Sequence, residues 1–152
     1  MKPSLTIHKE TAMSESFQVH PIGWVRKEGH EVRIDIETAF QDGLLGLEGF
    51  SHIMVCYWFH ENDNPADRRR LQVHPRKNPS NPLTGVFATH APVRPNLIGI
   101  STCRVISVMG ATIRIDAIDA RNGTPVVDIK GYLPDQLKSS EIRVPDWLSG
   151  PR

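Results

Sequence analysis

Arg94 stands between two prolines in "GVFATHAPVRPNLIGIS", the stretch from Gly85 to Ser101. Proline fixes its own φ and restricts the residue before it, so Pro92 and Pro95 hold the guanidinium in a pre-set direction. Its planar fork of donors suits a carboxylate or a phosphate of a ligand, or the carbonyls at a strand end. Asn96 can donate and accept, and Gly99 permits close backbone approach between Ile98 and Ile100, an apolar wall suited to a planar ring. Three other places carry chemistry-bearing residues. His60 and Glu61 end the long apolar run "SHIMVCYWFH". Asp119 and Asp128 flank the Asn122-Gly123 turn signal in "DARNGTPVVDIK". Arg69 and Arg70 of "DRRR", with Arg76 and Lys77, form either a solvated face or a local basic patch. The spacings of His52, His60, His74 and His90 match no zinc pattern, so no metal is expected.

These residues need a scaffold, and periodicity points to strands. In "EVRIDIE", Val32, Ile34 and Ile36 alternate with Arg33, Asp35 and Glu37, as in a half-buried strand. "FQVHPIGWVR" reads as a strand before it. Ser51 to His60 reads as a central strand covered on both faces. "QDGLLGLEGF" has too many glycines for a helix interior and suits a turn or short helix. "ENDNPADRRRLQVHPRKNPSNPLT" is polar and proline-rich, a long surface excursion. Further strands are expected at Gly85 to Ala88, Thr102 to Val108, "ATIRIDAID" and "TPVVDIKGY". Many short strands without a long amphipathic helix predict a mainly β protein, an antiparallel or mixed barrel with short helices and long surface loops. No GxGxxG or Walker loop is present.

Composition narrows the setting. A chain of 152 residues with 39% hydrophobic content suits one core. Residues 1–16 lack periodicity and read as a loose tail, leaving 17–152 as the single domain. With a net charge of +1 there is no global field to hold a polyanion, so any nucleic-acid contact must be local. Two cysteines inside apolar runs suggest a reducing cytoplasm, and no run is long enough to span a membrane as a helix.

In their order along the chain, "HPIGWVR", "GLLGLEGFSHIMVCYWFH", "GVFATHAPVRPNLIGIS" and "NGTPVVDIKGYLP" resemble the TsaA-like (YaeB, or TrmO) family of tRNA adenosine N6-methyltransferases. The resemblance spans about Phe17 to Pro134 and implies a single-sheeted β-barrel. It implies a homodimer that binds S-adenosylmethionine and methylates N6 of threonylcarbamoyladenosine at position 37 of tRNA, without membrane or DNA as partners. It also implies that His60, Glu61, His90, Arg94, Asn96, Ile100, Asn122, Gly123, Thr124 and Pro125 contact the cofactor. A general base would be His60, Glu61 or Asp128, and tRNA contacts would come from Arg69, Arg70, Arg76 and Lys77. This chain departs from the family pattern at Asn122, where an Asp is usual, and at His90, where an Arg is usual. Alternative readings are a methyltransferase of the same fold with another acceptor, or a non-catalytic barrel that binds cofactor or RNA.

Overall fold

Two loops of the form Gly-X return the chain on itself. β1 (Gly23–Glu28) and β2 (Glu31–Ile36) are joined by Gly29-His30, and β6 (Ile98–Met109) and β7 (Thr112–Ile115) by Gly110-Ala111. Each glycine has a positive φ, +56° at Gly29 and +59° at Gly110, while the residue after it does not. That is the arrangement in which a two-residue loop matches the right-handed twist of its strands. The other strands are β3 (His52–Trp58), the two-residue β4 (Gln72–Val73) and β5 (Thr84–Gly85), and β8 (Pro125–Gly131). These assignments come from a computed structural model, which describes residues 15–134 and 139–149. The expected tail over 1–16 lies almost wholly outside the described residues.

Six strands close into a barrel in the order β1-β2-β7-β6-β3-β8, every pair antiparallel. Closure removes the edges that an open sheet would expose. Alternation decides what fills it. Val25, Ile34, Ile53, Val55, Ile113 and Val126 are fully buried in the interior, each worth about 1.5–3 kcal/mol of apolar burial. Cys103 joins this core as a free thiol, and burial pushes its pKa up to about 11.

The outer surface is divided. On β1, β2 and β7 it carries Arg26, Arg33 and Arg114 in one row across the strands, and Arg33 pairs with Glu28, Glu31 and Asp35. On β3 and β6 it carries Trp58 opposite Ile98 and Cys56 opposite Ile100. β3 is therefore not covered on both faces as expected. Its pattern is strict alternation, with Ile53, Val55 and Tyr57 buried and Met54, Cys56 and Trp58 half-buried, because a barrel has only one dry side.

The loops bear on the other expectations. "QDGLLGLEGF", expected as a turn or short helix, runs through one 3-10 turn at Thr38–Leu44 and another at Leu47–Gly49, so that expectation stands. Of the strand expected at Gly85–Ala88 only Gly85 is strand, and with Thr84 it makes up β5; Val86–Ala88 curls into a 3-10 turn because the Val86 carbonyl accepts from Thr89 N and Thr89 Oγ1. Within the surface excursion a short helix, α1 (Pro65–Arg69), is started by Asn64, whose Oδ1 accepts from Asp67 N at 3.0 Å, with Pro65 at the first position. Asn122-Gly123 joins no hairpin, since β7 and β8 are not neighbours.

Candidate active site at the open end of the barrel

β3 and β6 run out of the barrel together, and the segments just beyond the end of β3 and just before the start of β6 form one wall of a cleft. Phe59 N donates to the Leu97 carbonyl at 2.8 Å, which keeps the two chains paired past the last strand residue. Gly99 is required here. A Cβ at this position would stand 2.7 Å from Tyr57 Cζ and 2.8 Å from Phe59 Cζ, so the glycine admits the two edge-to-face rings. The space it leaves is thus filled from inside, and the apolar wall facing outward is Ile98 and Ile100, 42% and 54% exposed. The Tyr57 hydroxyl lies 3.2 Å from Ser101 Oγ, and burial pushes its phenol pKa up, which keeps it a neutral hydrogen-bonding group.

Arg94 faces its own loop. Its Nη1 donates to the carbonyls of Thr89 and Ala91 at 3.3 and 3.1 Å, and its Nη2 to that of Val86 at 3.1 Å. Of the roles that the sequence allows, this geometry shows the carbonyl-capping one: the guanidinium curls residues 86–91 into the rim that carries His90. A second arginine fastens the far end of the same loop. Arg68 of α1 donates to the Pro95 carbonyl at 3.0 Å, pairs with Asp63 at 2.7 Å, and lies 5.4 Å from the centroid of the Trp58 ring. Hydrogen bonds from Arg68 and from the Trp58 indole hold the Asp63 carboxyl below its ordinary range.

The opposite lip is the loop before β8. Gly123 N donates to the Val25 carbonyl at 2.8 Å, Val25 N to the Thr124 carbonyl at 2.9 Å, and Lys27 N to Asn122 Oδ1 at 2.9 Å. These bonds extend the β1–β8 pairing outward from the barrel. Gly123, with φ +82°, turns the chain so that Thr124 N reaches the Arg121 carbonyl. The lips meet where Arg121 Nη1 donates to Glu61 Oε2 at 2.7 Å.

The cleft between them measures about 730 Å³, within the range of about 300–1,000 Å³ of small-molecule sites. His60, Glu61, His90, Arg94, Asn96, Ile100 and Thr124, expected in separate stretches of sequence, all line it. Asn122, Gly123 and Pro125 do not; they form the frame behind Thr124, with Pro125 opposite Trp24. Asp128 lies elsewhere, in the middle of β8, paired with Lys130 at 2.8 Å and bordering a separate hollow beside Phe40 and Leu44. Arg69, Arg70, Arg76 and Lys77 are exposed and outside the cleft, the last two with φ of 57° and 53°. Sequence reasoning passed over Arg68, Arg121, Trp58 and Phe87 as parts of this site. Only Arg68 had a local signal, the Asn-Pro-x-Asp start of a helix that ends in arginines. Among the described residues no cluster fit for a metal ion occurs.

An apolar wall beside His60, Asn96 and a charged pair offers a planar heterocycle a surface and a charged ligand end its partners, so the residues present fit an adenosine carrying an amino-acid group. The chain is similar to several known proteins. A probable S-adenosyl-L-methionine-binding protein of Pyrococcus horikoshii is 49% identical over 116 residues, which is 76% of this chain and 82% of that protein. The human tRNA (adenine(37)-N6)-methyltransferase is 37% identical over 105 residues, 69% of this chain but 23% of that enzyme. The crystal structure of TrmO from Pseudomonas aeruginosa superposes with a TM-score of 0.64 at 27% identity, covering 85% of this chain and 62% of that one. The chain thus spans less than two thirds of the solved TrmO structures and most of its archaeal relative. Residues 10–136, which contain the whole barrel and both lips of the cleft, match the model of the tRNA-methyltransferase O N-terminal domain, and the chain belongs to that family.

Proposed function

We propose that this protein is an S-adenosylmethionine-dependent methyltransferase acting on N6 of adenosine 37 of tRNA, with threonylcarbamoyladenosine as the acceptor. The observation that supports it most is the convergence of the "HAPVRPN" loop, the end of β3 and the "RNGT" loop on one cleft, in a chain similar to S-adenosylmethionine-binding proteins and tRNA (adenine(37)-N6)-methyltransferases. Bound there, the cofactor supplies an electrophilic methyl group. The protein's own part is positioning: Ile98 and Ile100 give the base a wall, while Arg94 and Arg68 fix the rim at both ends. Holding two reactants in line removes most of the entropic barrier of a bimolecular step. Of the three candidate bases, His60 and Glu61 line the cleft and Asp128 borders the other hollow; Glu61 is engaged by Arg121, which leaves His60 to accept the proton that leaves N6. The exposed Arg69, Arg70, Arg76 and Lys77 would meet RNA phosphates beside the cleft. Residues 17–152 would act as one domain in a cytoplasmic homodimer, as the family resemblance implies.

The decisive experiment incubates the purified chain with tRNA bearing threonylcarbamoyladenosine and labelled S-adenosylmethionine, and then digests the tRNA for nucleoside mass spectrometry. Label on N6 at position 37 is expected. The human enzyme is more than four times longer than the matched segment, since that segment is 23% of it, which gives a second reading weight. If the chain binds S-adenosylmethionine without labelling tRNA, it methylates another acceptor or serves as a binding barrel.

A further inference from the structure

We infer that the Glu61–Arg121 ion pair is the receptor for the zwitterionic amino-acid end of the cofactor, Arg121 taking the carboxylate and Glu61 the ammonium. The identity of the ligand rests on the function proposed above, and the assignment of the two residues rests on their geometry. Glu61 comes from the turn after β3 and Arg121 from the loop before β8, so the 2.7 Å contact bridges the two lips of the cleft that both residues line. The side chains are 51% and 79% exposed. An ion pair in that setting is hydrated and screened, contributes little to the fold, and opens at little cost.

Arg94 is the more conspicuous cation by sequence, yet its two terminal nitrogens are committed to three backbone carbonyls. Among the described residues Arg121 pairs with Glu61 through Nη1 and keeps the rest of its donor fork for a ligand. The other groups on the cleft fit the same polarity. Asp119 stands on the Arg121 lip as a second carboxylate, which favours an incoming ammonium and disfavours a bare anion except at the guanidinium itself. His60 and His90 are exposed rings on the same cleft, on the side of the β3 end and the rim loop. A zwitterion that inserts between Glu61 and Arg121 turns one ion pair into two without adding net charge. A phosphate would pair Arg121 and leave Glu61 without a partner. The bridge therefore selects an amino-acid end over a simple anion.

The test compares two ligands of the purified protein by calorimetry: S-adenosylhomocysteine, which carries the amino-acid end, and 5′-methylthioadenosine, which keeps the nucleoside thioether and lacks that end. Arg121→Gln and Glu61→Gln should each weaken S-adenosylhomocysteine by about ten- to a hundredfold, the worth of one charged hydrogen bond, and leave methylthioadenosine within about twofold. The double exchange Glu61→Arg with Arg121→Glu restores a bridge between the lips but reverses its polarity. It should stay as weak for S-adenosylhomocysteine as the single variants, because the tether to the nucleoside fixes which side each charged group faces. Equal weakening of both ligands, no weakening, or rescue by the double exchange would overturn the inference and leave the pair a structural tie. If the unaltered protein binds neither ligand, the proposed function itself falls, and the inference with it.

Discussion

Replacing Arg94 with alanine separates a loop-holding guanidinium from a ligand-binding one. Three hydrogen bonds are lost, to the carbonyls of Val86, Thr89 and Ala91. A hydrogen bond to a charged group is worth about 1.5–3 kcal/mol in good geometry. Here the full amount does not apply to each. The Thr89 contact, at 3.3 Å, is at the long end of the range, and the Val86 carbonyl keeps Thr89 N and Oγ1 as partners at 3.1 and 3.0 Å. Arg94 is also only half-buried, so water replaces part of what is removed. What remains is the equivalent of roughly one good charged bond, about 2 kcal/mol. Urea unfolding monitored by tryptophan fluorescence should show a lower midpoint with an unchanged slope. Arg70→Ala, at an exposed position without a hydrogen bond to this loop, should leave the midpoint where it was. Because the loop carries His90 and Asn96 into the cleft, Arg94→Ala should weaken S-adenosylhomocysteine and methylthioadenosine in equal proportion. Unaltered stability combined with a loss confined to S-adenosylhomocysteine would refute this reasoning and make Arg94 the carboxylate ligand.

The Asp63–Arg68–Trp58 strap should loosen in acid. The Asp63 carboxyl is depressed in the folded protein, so its contribution is present above the ordinary value of 3.8 and is lost as pH falls through the lower folded value. The Trp58 indole N–H resonance reports this directly: it should titrate with a midpoint below pH 3.8 and lose that transition in Asp63→Asn, and the same titration in both proteins would discard the idea. Gly99→Ala must push aside the Tyr57 and Phe59 rings, and overpacking of this kind costs about 1–3 kcal/mol. A thermal melt equal to that of the unaltered protein would show that the rings yield freely.

Sequence alone determined the barrel class and most of its strands, because a period of two is a local property: Ile34 and Ile36 alternate with Arg33 and Asp35 whatever lies across the barrel. It also marked the stretches that meet at the cleft, since prolines, an Asn-Gly turn and a strand-ending histidine are legible without neighbours. Local pattern could not say which way a side chain faces when the partner is distant in the chain. Arg94 looked like a free fork until the curl at Val86–Ala88 brought carbonyls to it, and Asp128 was one candidate base until β8 paired it with Lys130 beside a hollow separate from the cleft. The helix start at Asn64 marked Arg68 only as helical; its seat over Trp58, and that of Arg121 on Glu61, join segments 10 and 60 positions apart and were not legible in the sequence. Strand order decided those meetings. β3 lies between β6 and β8 only once the sheet closes, and closure depends on burying one shared core rather than on any single segment's preference.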